Sequence, residues 1–316
     1  MSELRYPPWI SHSILIRQVE LGGRLRTLEP LRIGVGKSDL PSATTDMPVI
    51  RLTELRKGLE VPYIPGSSLK GLFRSAAESI AKSANIKPEP CSGLSKDNCM
   101  VIRRVDGETL GNLIERFLKI YAFQEAISNF WENACLLCKV FGAPMYRSKV
   151  TLQDAYPIDE NGELTSVPTG IKTGIAIDRS TGAVYGGALY RIEYVEPGAL
   201  FSFALSANNL PNYALGLLVE VLTMLNDGLL RIGGFKSRGF GRVEFDDIFI
   251  KVKHFSPISG DEDVLNTLGD SSDRKVTVKP SESKDGQLIY KGNELRDLLD
   301  ELRRVWKDYV FSISKG

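Results

Sequence analysis

The residues best suited to binding an anion lie in the segment P-G-S-S-L-K-G-L-F-R, residues 65–74. Ser67 and Ser68 are residue types that favour a helix N-terminus, and the apolar residues after them recur at helical spacing. Free N–H groups at that helix end, close to Lys70 and Arg74, would suit a phosphate group. The same pattern is also typical of a helix that packs on a sheet and turns its cations to water.

A second cationic segment, G-G-F-K-S-R-G-F-G-R-V, covers residues 233–243. Glycine lets a backbone approach a ligand closely, while Lys236 and Arg238 supply positive charge and the two phenylalanines can stack on bases. The segment therefore indicates nucleic-acid binding. The alternative is a tight, solvated turn between a helix and a strand.

The four cysteines form two pairs, Cys91 with Cys99 and Cys135 with Cys138. Clustered cysteines in a reducing compartment favour a metal site, and C-x-x-C is a spacing found in zinc knuckles. Cys91 and Cys99 stand further apart than most zinc pairs. The sequence therefore leaves three alternatives open: one four-cysteine zinc site, paired disulfides, or free buried thiols.

Residues 169–203 contain short β-type runs that are interrupted by glycines and by D-R-S-T-G. This pattern predicts a projecting β-hairpin that carries Lys172, Arg179 and Arg191, followed by two antiparallel strands. These residues would suit a nucleic-acid contact. A plain surface hairpin without a ligand fits the pattern equally well.

The polar loop at residues 34–46 contains Gly34, Gly36 and Lys37, which suggest a phosphate loop. Neither the Walker spacing nor the dinucleotide-binding glycine spacing is present, so a small-molecule phosphate enzyme is a distant alternative. The two histidines of the chain are His12 and His254. General acid–base catalysis by histidine therefore has little support.

Strands and helices are expected to position these residues. Two strands, over residues 13–21 and 24–35, are predicted to meet in a hairpin turn at Gly22-Gly23. Apolar residues at helical spacing predict one helix over residues 108–131 and another over 212–226.

The end of the chain differs in composition from the rest. Residues 256–287 are rich in Ser, Asp, Gly and Lys without periodicity, which predicts a linker or a mobile loop. Asn293 is suited to cap a following amphipathic helix. The apolar stripe of that helix must pack on this chain's own core or on a neighbouring subunit.

Bulk composition limits the class of protein. The 316 residues are enough for a sizeable core, and 40 Lys+Arg against 39 Asp+Glu give a net charge of +1, so any nucleic-acid site must be a local patch. The sequence shows neither a signal-peptide stretch nor an apolar run of membrane length. We expect a soluble, cytoplasmic protein with no membrane partner.

The order of predicted elements is strand, strand, helix, insertion, helix, strands, helix, strand. Short antiparallel strands dominate this order. It predicts an α+β architecture with helices on one side of antiparallel sheets.

Four motifs together resemble one protein family. They are I-P-G-S-S-L-K-G-L-F-R at residues 64–74, C-L-L-C-K-V-F-G at 135–142, I-D-R-S-T-G-A-V at 177–184 and I-G-G-F-K-S-R-G-F-G-R-V at 232–243. In this order they resemble the RAMP superfamily, and within it the backbone subunits of type III CRISPR antiviral effector complexes. The resemblance spans residues 32–243, apart from an insertion around 85–131.

The resemblance implies a ferredoxin-like (RRM-type) core with antiparallel sheets, a thumb-like β-hairpin and helical insertions. The implied partners are a guide CRISPR RNA, a target RNA and other RAMP subunits, joined in one ribonucleoprotein complex. The thumb, at about residues 170–192, would open the guide–target duplex at regular intervals. The residues implied to contact RNA are Ser67, Ser68, Lys70, Arg74, Lys172, Arg179, Gly233, Gly234, Lys236, Ser237 and Arg238.

The resemblance also implies a catalytic carboxylate, for which Asp46 is the best match. It would assist attack of a ribose 2′-hydroxyl on the neighbouring phosphate, aided by a divalent cation such as Mg²⁺, which makes the protein a metal-dependent endoribonuclease. Asp39 lies in the same loop, and Arg32 stands where some relatives carry a histidine. The alternative is a non-catalytic RAMP scaffold that binds guide RNA without cutting.

The expected domain organisation follows from these features. Residues 1–255 are expected to form the RAMP domain, with a helical, cysteine-bearing insertion at about 85–140. Residues 256–316 are expected to add the mobile linker and the C-terminal amphipathic helix. In some relatives the cysteines hold a structural zinc, which the resemblance implies for Cys91, Cys99, Cys135 and Cys138.

Overall fold

The computed structural model describes residues 5–34, 45–55, 57–255 and 264–313. The strands in these ranges are β1 (Arg17–Thr27), β2 (Arg51–Glu54), β3 (Leu59–Pro62), β4 (Arg104–Val105), β5 (Glu108–Thr109), β6 (Val150–Leu152), β7 (Pro157–Ile158), β8 (Thr169–Ile177), β9 (Val184–Val195), β10 (Leu200–Asn208), β11 (Val243–His254), β12 (Val264–Leu265), β13 (Val276–Thr277), β14 (Glu282–Lys284) and β15 (Gln287–Tyr290). The α-helices are α1 (Gly66–Ser83), α2 (Cys99–Ile102), α3 (Leu110–Lys119), α4 (Phe123–Asn133), α5 (Leu136–Phe141), α6 (Asn212–Asn226) and α7 (Gly292–Ile313).

The main sheet has the strand order β14-β15-β11-β1-β10-β6, with β7 also paired to β10, and every pair is antiparallel. Along the chain its centre is built in the order β1-α1-β6-β10-α6-β11. In space these four strands lie side by side as β11-β1-β10-β6. This βαββαβ arrangement is the ferredoxin-like one, and it confirms the expected α+β core with antiparallel sheets.

Strand β1 runs unbroken through the predicted turn at Gly22-Gly23, so the prediction of a hairpin there is wrong. The β1–β11 pairing shifts between Gly22 and Arg24, which marks a β-bulge. A Cβ on Gly22 would collide with the ring of Phe249, and one on Gly23 would collide with Ile248. The two glycines therefore make room for side chains of β11 instead of reversing the chain.

One face of the main sheet is covered by helices. From α1, Leu69 and Phe73 are fully buried, and the ring of Phe73 stacks on Phe203 of β10 with the centroids 6.4 Å apart. Helix α6 is buried on nearly every side because it packs against α1 and β11 and against α7. Close packing of the last pair depends on Gly216, where a Cβ would collide with the carbonyl of Leu302.

The insertion after α1 contains short helices where the sequence predicted one. The predicted helix over residues 108–131 is wrong in that α3 and α4 are separate, with a break at residues 120–122. Tyr121 adopts a left-handed conformation with φ 56°, which no α-helix continues through. Ile120 and Tyr121 are exposed at this break.

The C-terminal part of the chain belongs to the same core. The predicted linker is wrong for residues 264–287, while residues 256–263 lie outside the described ranges. Here β12 pairs with β13, and the β14–β15 hairpin extends the main sheet by pairing β15 with β11. The many polar residues misled the prediction because some of them are buried with partners: Asp273 accepts the backbone N–H groups of Asn212 and Tyr213 at 3.0 and 3.1 Å.

Helix α7 packs on α6, so its apolar stripe is buried against this chain's own core. Five of its side chains are buried, namely Leu295, Leu298, Leu302, Val305 and Trp306. None of the helices in the described part of the chain is long and apolar enough to cross a lipid bilayer.

We predict that Leu302→Ala lowers the free energy of unfolding by about 2–5 kcal/mol, because this buried leucine fills the α6–α7 contact and its truncation leaves a cavity. Lys307→Ala, on the exposed side of the same helix, is the control and should change stability by less than about 0.5 kcal/mol. Urea denaturation of the two variants measures the difference. Equal, small losses would show that α7 contributes little to the core.

Candidate functional site

A cleft of about 950 Å³ opens between α1, the Gly-rich segment and the chain around Arg32. Three stretches that are distant in sequence line it: residues 32–34 with 46–47, the outer side of α1, and residues 230–236. The charged residues of this lining are Arg32, Asp46 and Lys236. The structure thus places the predicted catalytic carboxylate and the predicted anion-binding segments around one cavity.

Helix α1 presents small polar residues to the cleft. Ser68, Gly71, Ser75 and Ser79 recur every three or four positions and therefore share one side of the helix. A Cβ on Gly71 would meet no atom within 4 Å, so the helix wall is open at this position. A bulky ligand can therefore lie close to the helix backbone here.

The N-terminus of α1 differs from the sequence prediction. The helix begins at Gly66, after Pro65, so Ser67 and Ser68 lie inside its first turn and neither is the N-cap. The backbone N–H of Gly66 donates to Asp154 Oδ1 at 2.7 Å. A carboxylate of this chain therefore already lies at the positive end of the helix, where the sequence predicted a phosphate. Ser68 reaches the cleft from the helix flank, whereas Ser67 lies outside the cleft lining.

The Gly-rich segment lies backbone to backbone on residues 30–34. Gly234 N–H donates to the carbonyl of Arg32 at 2.9 Å, and Gly241 N–H donates to that of Pro30 at 2.9 Å. Gly233 has φ 80°, and a Cβ on it would collide with the Arg32 carbonyl. Close approach therefore requires glycine here, as the sequence indicated.

The turn Lys236–Arg238 follows this contact, and its side chains point in different directions. Lys236 lines the cleft, and Ser237 is exposed outside its lining. Arg238 Nη1 donates to the hydroxyl of Tyr190 at 2.8 Å, so Arg238 ties the turn to strand β9.

Two guanidinium groups lie close to the ring of Phe235. Arg32 and Arg238 are 5.5 and 5.4 Å from the centre of its ring, which stacks on Tyr190 at 6.5 Å. Burial lowers the pKa of Arg32. No carboxylate pairs with Arg32 in the part of the chain that the structure describes, so its charge is available to an anion in the cleft.

Strands β8 and β9 form a two-stranded sheet of their own, which confirms the predicted hairpin. One face rests on the Gly-rich segment: Tyr194 packs edge-on against Phe240 at 5.8 Å, and Lys172 Nζ lies 5.5 Å from the same ring. Exposed apolar side chains also lie on the hairpin, at Ile171, Ile175, Ile177, Val184 and Leu189. Arg179 lies in the exposed turn at the tip, outside the cleft lining.

Asp46 is held at the rim of the cleft by strand β9. Its Oδ2 accepts the backbone N–H of Arg191 at 2.7 Å, and Thr45 Oγ1 donates to the Arg191 carbonyl at 2.8 Å. Met47 then forms a parallel bridge to Ile192. No pattern in the sequence predicts this link between the catalytic candidate and the hairpin. Lys37 and Asp39 lie outside the described residues.

A part-buried ion pair fixes the chain just after Asp46. Glu193 accepts the backbone N–H of Val49 at 3.0 Å and both arms of the Arg51 guanidinium, one of them at 2.9 Å. Burial acts to raise the pKa of Glu193, but the bonds from Arg51 and Val49 outweigh it and hold the pKa below its ordinary value. The Asp46 segment is thereby fastened to β9 on both sides.

The two cations of α1 that were predicted to contact RNA, Lys70 and Arg74, lie outside the cleft lining. Lys70 is half-buried, and burial, aided by the charge of Arg74, lowers its pKa. Arg74 faces the cysteines: its Nε donates to the Ser92 carbonyl at 3.2 Å and its Nη1 to the Gly142 carbonyl at 2.9 Å. Its Nη2 lies 3.8 and 3.6 Å from the sulfurs of Cys91 and Cys138. Arg74 is therefore engaged at the cysteine cluster.

The four cysteines converge on one point. All are buried free thiols, and their Sγ atoms lie within 4.8 Å of one another. Cys91 Sγ is 3.3 Å from that of Cys138, 3.7 Å from that of Cys135 and 3.8 Å from that of Cys99. A tetrahedral zinc site with ~2.3 Å bonds has sulfur–sulfur edges of about 3.8 Å. The four sulfurs can therefore hold one metal ion.

Hydrogen bonds between the cysteines change the pKa values of their thiols. The bonds from Cys138, Cys91 and Cys99 lower the pKa of Cys135 well below its ordinary value. The backbone N–H of Cys135 lies 3.3 Å from the sulfur of Cys99. Burial lowers the pKa of the adjacent Lys139 to about 8, while the negative charge of Cys135 acts to raise it. A thiolate is thus favoured at Cys135, while its hydrogen bonds to Cys99 and Cys138 raise the pKa of those two thiols.

The two histidines lie apart from the cleft lining. Burial lowers the pKa of His12 to about 4, and burial also lowers the pKa of His254. Both rings are neutral at physiological pH.

Comparison with known proteins places this geometry in a family. Residues 24–244 match the RAMP superfamily. The chain is 27% identical over 253 residues to the CRISPR system Cms endoribonuclease Csm3 of Methanocaldococcus jannaschii, covering 78% of this chain and 85% of that protein. It is 25% identical over 272 residues to the protein of the same name from Methanothermobacter thermautotrophicus, covering 76% and 88%.

The family match runs from the last residues of β1 to the first residues of β11 and so includes α1, β6, β10, α6, the hairpin and the Gly-rich segment. The insertion with its cysteine cluster lies within the matched range, whereas the C-terminal strands and α7 follow it. This chain belongs to the RAMP superfamily.

Proposed function

We propose that this chain is the guide-RNA-binding, target-RNA-cleaving backbone subunit of a type III CRISPR effector complex, assembled with other RAMP subunits. The observation that carries the proposal is the single cleft that unites Asp46, Arg32, Lys236 and the small-residue side of α1. The names of the two relatives, both CRISPR endoribonucleases, support the same activity.

The guide RNA would lie along α1 and the Gly-rich segment. Ser68, Gly71 and Ser75 leave room for a sugar–phosphate backbone, while Arg32 and Lys236 offer positive charge to its phosphates. The backbone at Gly233 and Gly234 carries no side chain that would hold the RNA away. These contacts recognise the backbone of the RNA and not its sequence, as a subunit that holds many different guides requires.

The hairpin would separate guide from target. Its exposed apolar side chains, among them Ile175 and Leu189, are of the type that wedges between bases and unstacks them. Its other face is anchored on the Gly-rich segment through Tyr190 and Tyr194, so the wedge has a fixed base. The segment of target beside the wedge then lies next to Asp46, which β9 itself holds.

In the proposed reaction a target 2′-hydroxyl loses its proton and its oxygen attacks the adjacent phosphorus, while the bond from phosphorus to the 5′-oxygen of the next nucleotide breaks. The 5′-oxygen takes up a proton as it leaves, so the products are a 2′,3′-cyclic phosphate and a 5′-hydroxyl end. A divalent cation, held by Asp46 together with RNA oxygens as Mg²⁺ usually is, would neutralise the developing charge. Asp46 is the one carboxylate among the described residues that line the cleft. Most of the rate must therefore come from the in-line geometry that the wedge imposes on the target.

We also propose that the four cysteines hold a structural zinc ion. The donor set is four thiolates, which zinc accepts, and the spacing of the sulfurs fits a tetrahedron. The ion would join Cys91 and Cys99, in the insertion, to Cys135 and Cys138 at the start of α5. The ion would fix the insertion against α1 and would take no part in RNA cleavage.

The first test is cleavage by Asp46→Ala in the assembled complex, with complementary RNA and Mg²⁺. Because Asp46 is the proposed ligand of the cation, we expect at least a 100-fold slower cut at the sites of this subunit, with RNA binding unchanged. Asp297→Ala, on the exposed side of α7, is the control and should cut like the wild type. Normal cleavage by Asp46→Ala would favour the non-catalytic scaffold instead.

The second test concerns Lys236. Lys236→Ala should weaken guide-RNA binding similarly for all sequences and reduce the salt dependence of binding by about one phosphate contact. Titrations at several salt concentrations measure both quantities, with Lys307→Ala as the matched control on a remote exposed surface. An unchanged salt slope for Lys236→Ala would place the RNA outside this cleft.

A further inference from the structure

A zinc ion bound by four thiolates is a doubly negative group. Here it would be buried, because none of the four cysteines is more than 1% exposed. A buried charge of that size requires positive partners in contact with it, since the protein interior replaces water poorly as a solvent for ions. The identity of those partners is a question separate from the identity of the four ligands.

Arg74 has the geometry of such a partner. It belongs to α1, outside the cysteine-bearing segments, and its Nη2 lies 3.8 Å from Cys91 Sγ and 3.6 Å from Cys138 Sγ. Its remaining donors are fixed by the carbonyls of Ser92 and Gly142, which are close in sequence to the same cysteines. A Cβ on Gly93 would collide with this guanidinium, so the glycine leaves the space that Arg74 fills.

A second cation, Lys139, lies near the same cysteines and can offset the second negative charge of the zinc–thiolate group. Lys139 follows Cys138 directly and is only 8% exposed. Its Nζ lies 4.1 Å from the centre of the Trp131 ring. No carboxylate forms an ion pair with Arg74 or Lys139 among the residues that the structure describes. A part-buried positive charge, Arg74, and a buried one, Lys139, thus stand beside a group that would carry two negative charges.

We propose that Arg74, with Lys139, is the charge partner of the cysteine-bound metal, and that Arg74 acts on the metal site and not on RNA. The inference rests on the proposed zinc site and is independent of the cleavage chemistry. It departs from the role in RNA binding that the sequence motif implied for this arginine. Arg74 positions the metal ligands by donating to their sulfurs.

This assignment couples two parts of the fold. Arg74 is on the same helix as Ser68 and Ser75, which line the cleft. Its guanidinium connects that helix to the cysteine-bearing segments at Ser92 and Gly142. The bound metal therefore helps to hold the wall of the cleft in place, without contacting the RNA.

The test measures zinc affinity of the full-length chain by competition with a chromophoric chelator. Arg74→Met, which removes the charge and all three sets of contacts, should weaken zinc binding by about 10- to 100-fold, as loss of donors to metal ligands generally does. Arg74→Lys keeps the charge but lacks the planar fork, so its affinity should fall in between. Lys82→Met, an exposed cation on the same helix, is the control and should bind zinc like the wild type.

Cobalt substitution supplies a spectroscopic readout, and salt-dependent RNA titration of the same variants supplies another. Arg74→Met should alter the thiolate-to-cobalt absorption while the salt slope of RNA binding stays unchanged. Unchanged zinc affinity in both Arg74 variants, or a lower RNA salt slope with normal zinc binding, would overturn the assignment. If the wild-type chain itself binds no zinc, the proposed metal site fails as well, whereas cleavage through Asp46 remains to be judged by its own variant.

Discussion

The contact between the Gly-rich segment and residues 30–34 is the constraint on which the site depends. Two backbone hydrogen bonds, to the carbonyls of Arg32 and Pro30, hold these stretches together with no side chain between them. Gly233 and Gly241, both with positive φ, permit this approach. The contact forms the floor of the cleft and places Arg32 and Lys236 on it. A side chain at Gly233 would push the floor apart.

The hairpin and the catalytic candidate Asp46 are joined directly to each other. Strand β9 carries the aromatic residues that rest on the Gly-rich segment, and the same strand binds Asp46 through the backbone of Arg191. The wedge that would distort the target and the carboxylate that would act on it are therefore fixed relative to each other. One carboxylate can be sufficient when the protein imposes the geometry of attack in this way.

The sequence predicted those parts of the site that depend on local chemistry. The ferredoxin-like core, the hairpin, helix α6 over residues 212–226 and the need for glycine near residue 233 all follow from periodicity, turn residues and family motifs. The gathering of the four cysteines, of which Cys91 and Cys135 are 44 positions apart, was one of three alternatives that spacing alone left open. The contacts of individual cations, such as those of Arg74 and Arg238, could not be predicted because they depend on residues that are distant in sequence.

The failures share a physical cause, which is tertiary packing. Gly22 and Gly23 have the composition of a turn, yet they serve a strand because Phe249 and Ile248 need space. Ser67 and Ser68 are good N-cap types, yet Pro65 is the N-cap and Asp154, from a distant strand connection, accepts the first N–H of the helix. Arg74 has the spacing of a phosphate ligand, yet its guanidinium turns toward the cysteines. In each case the deciding neighbour is far away in the sequence.

The most direct test of the account is a structure of the assembled complex with guide RNA and a target that carries 2′-deoxyribose at the cleavage position. Without the attacking hydroxyl the target stays intact, so its position before cleavage is visible. The account predicts a target phosphate beside the Asp46 carboxylate, the hairpin between unstacked bases, and the guide against α1 and the Gly-rich segment. A target strand that passes away from Asp46, with the cleft empty of RNA, would contradict it.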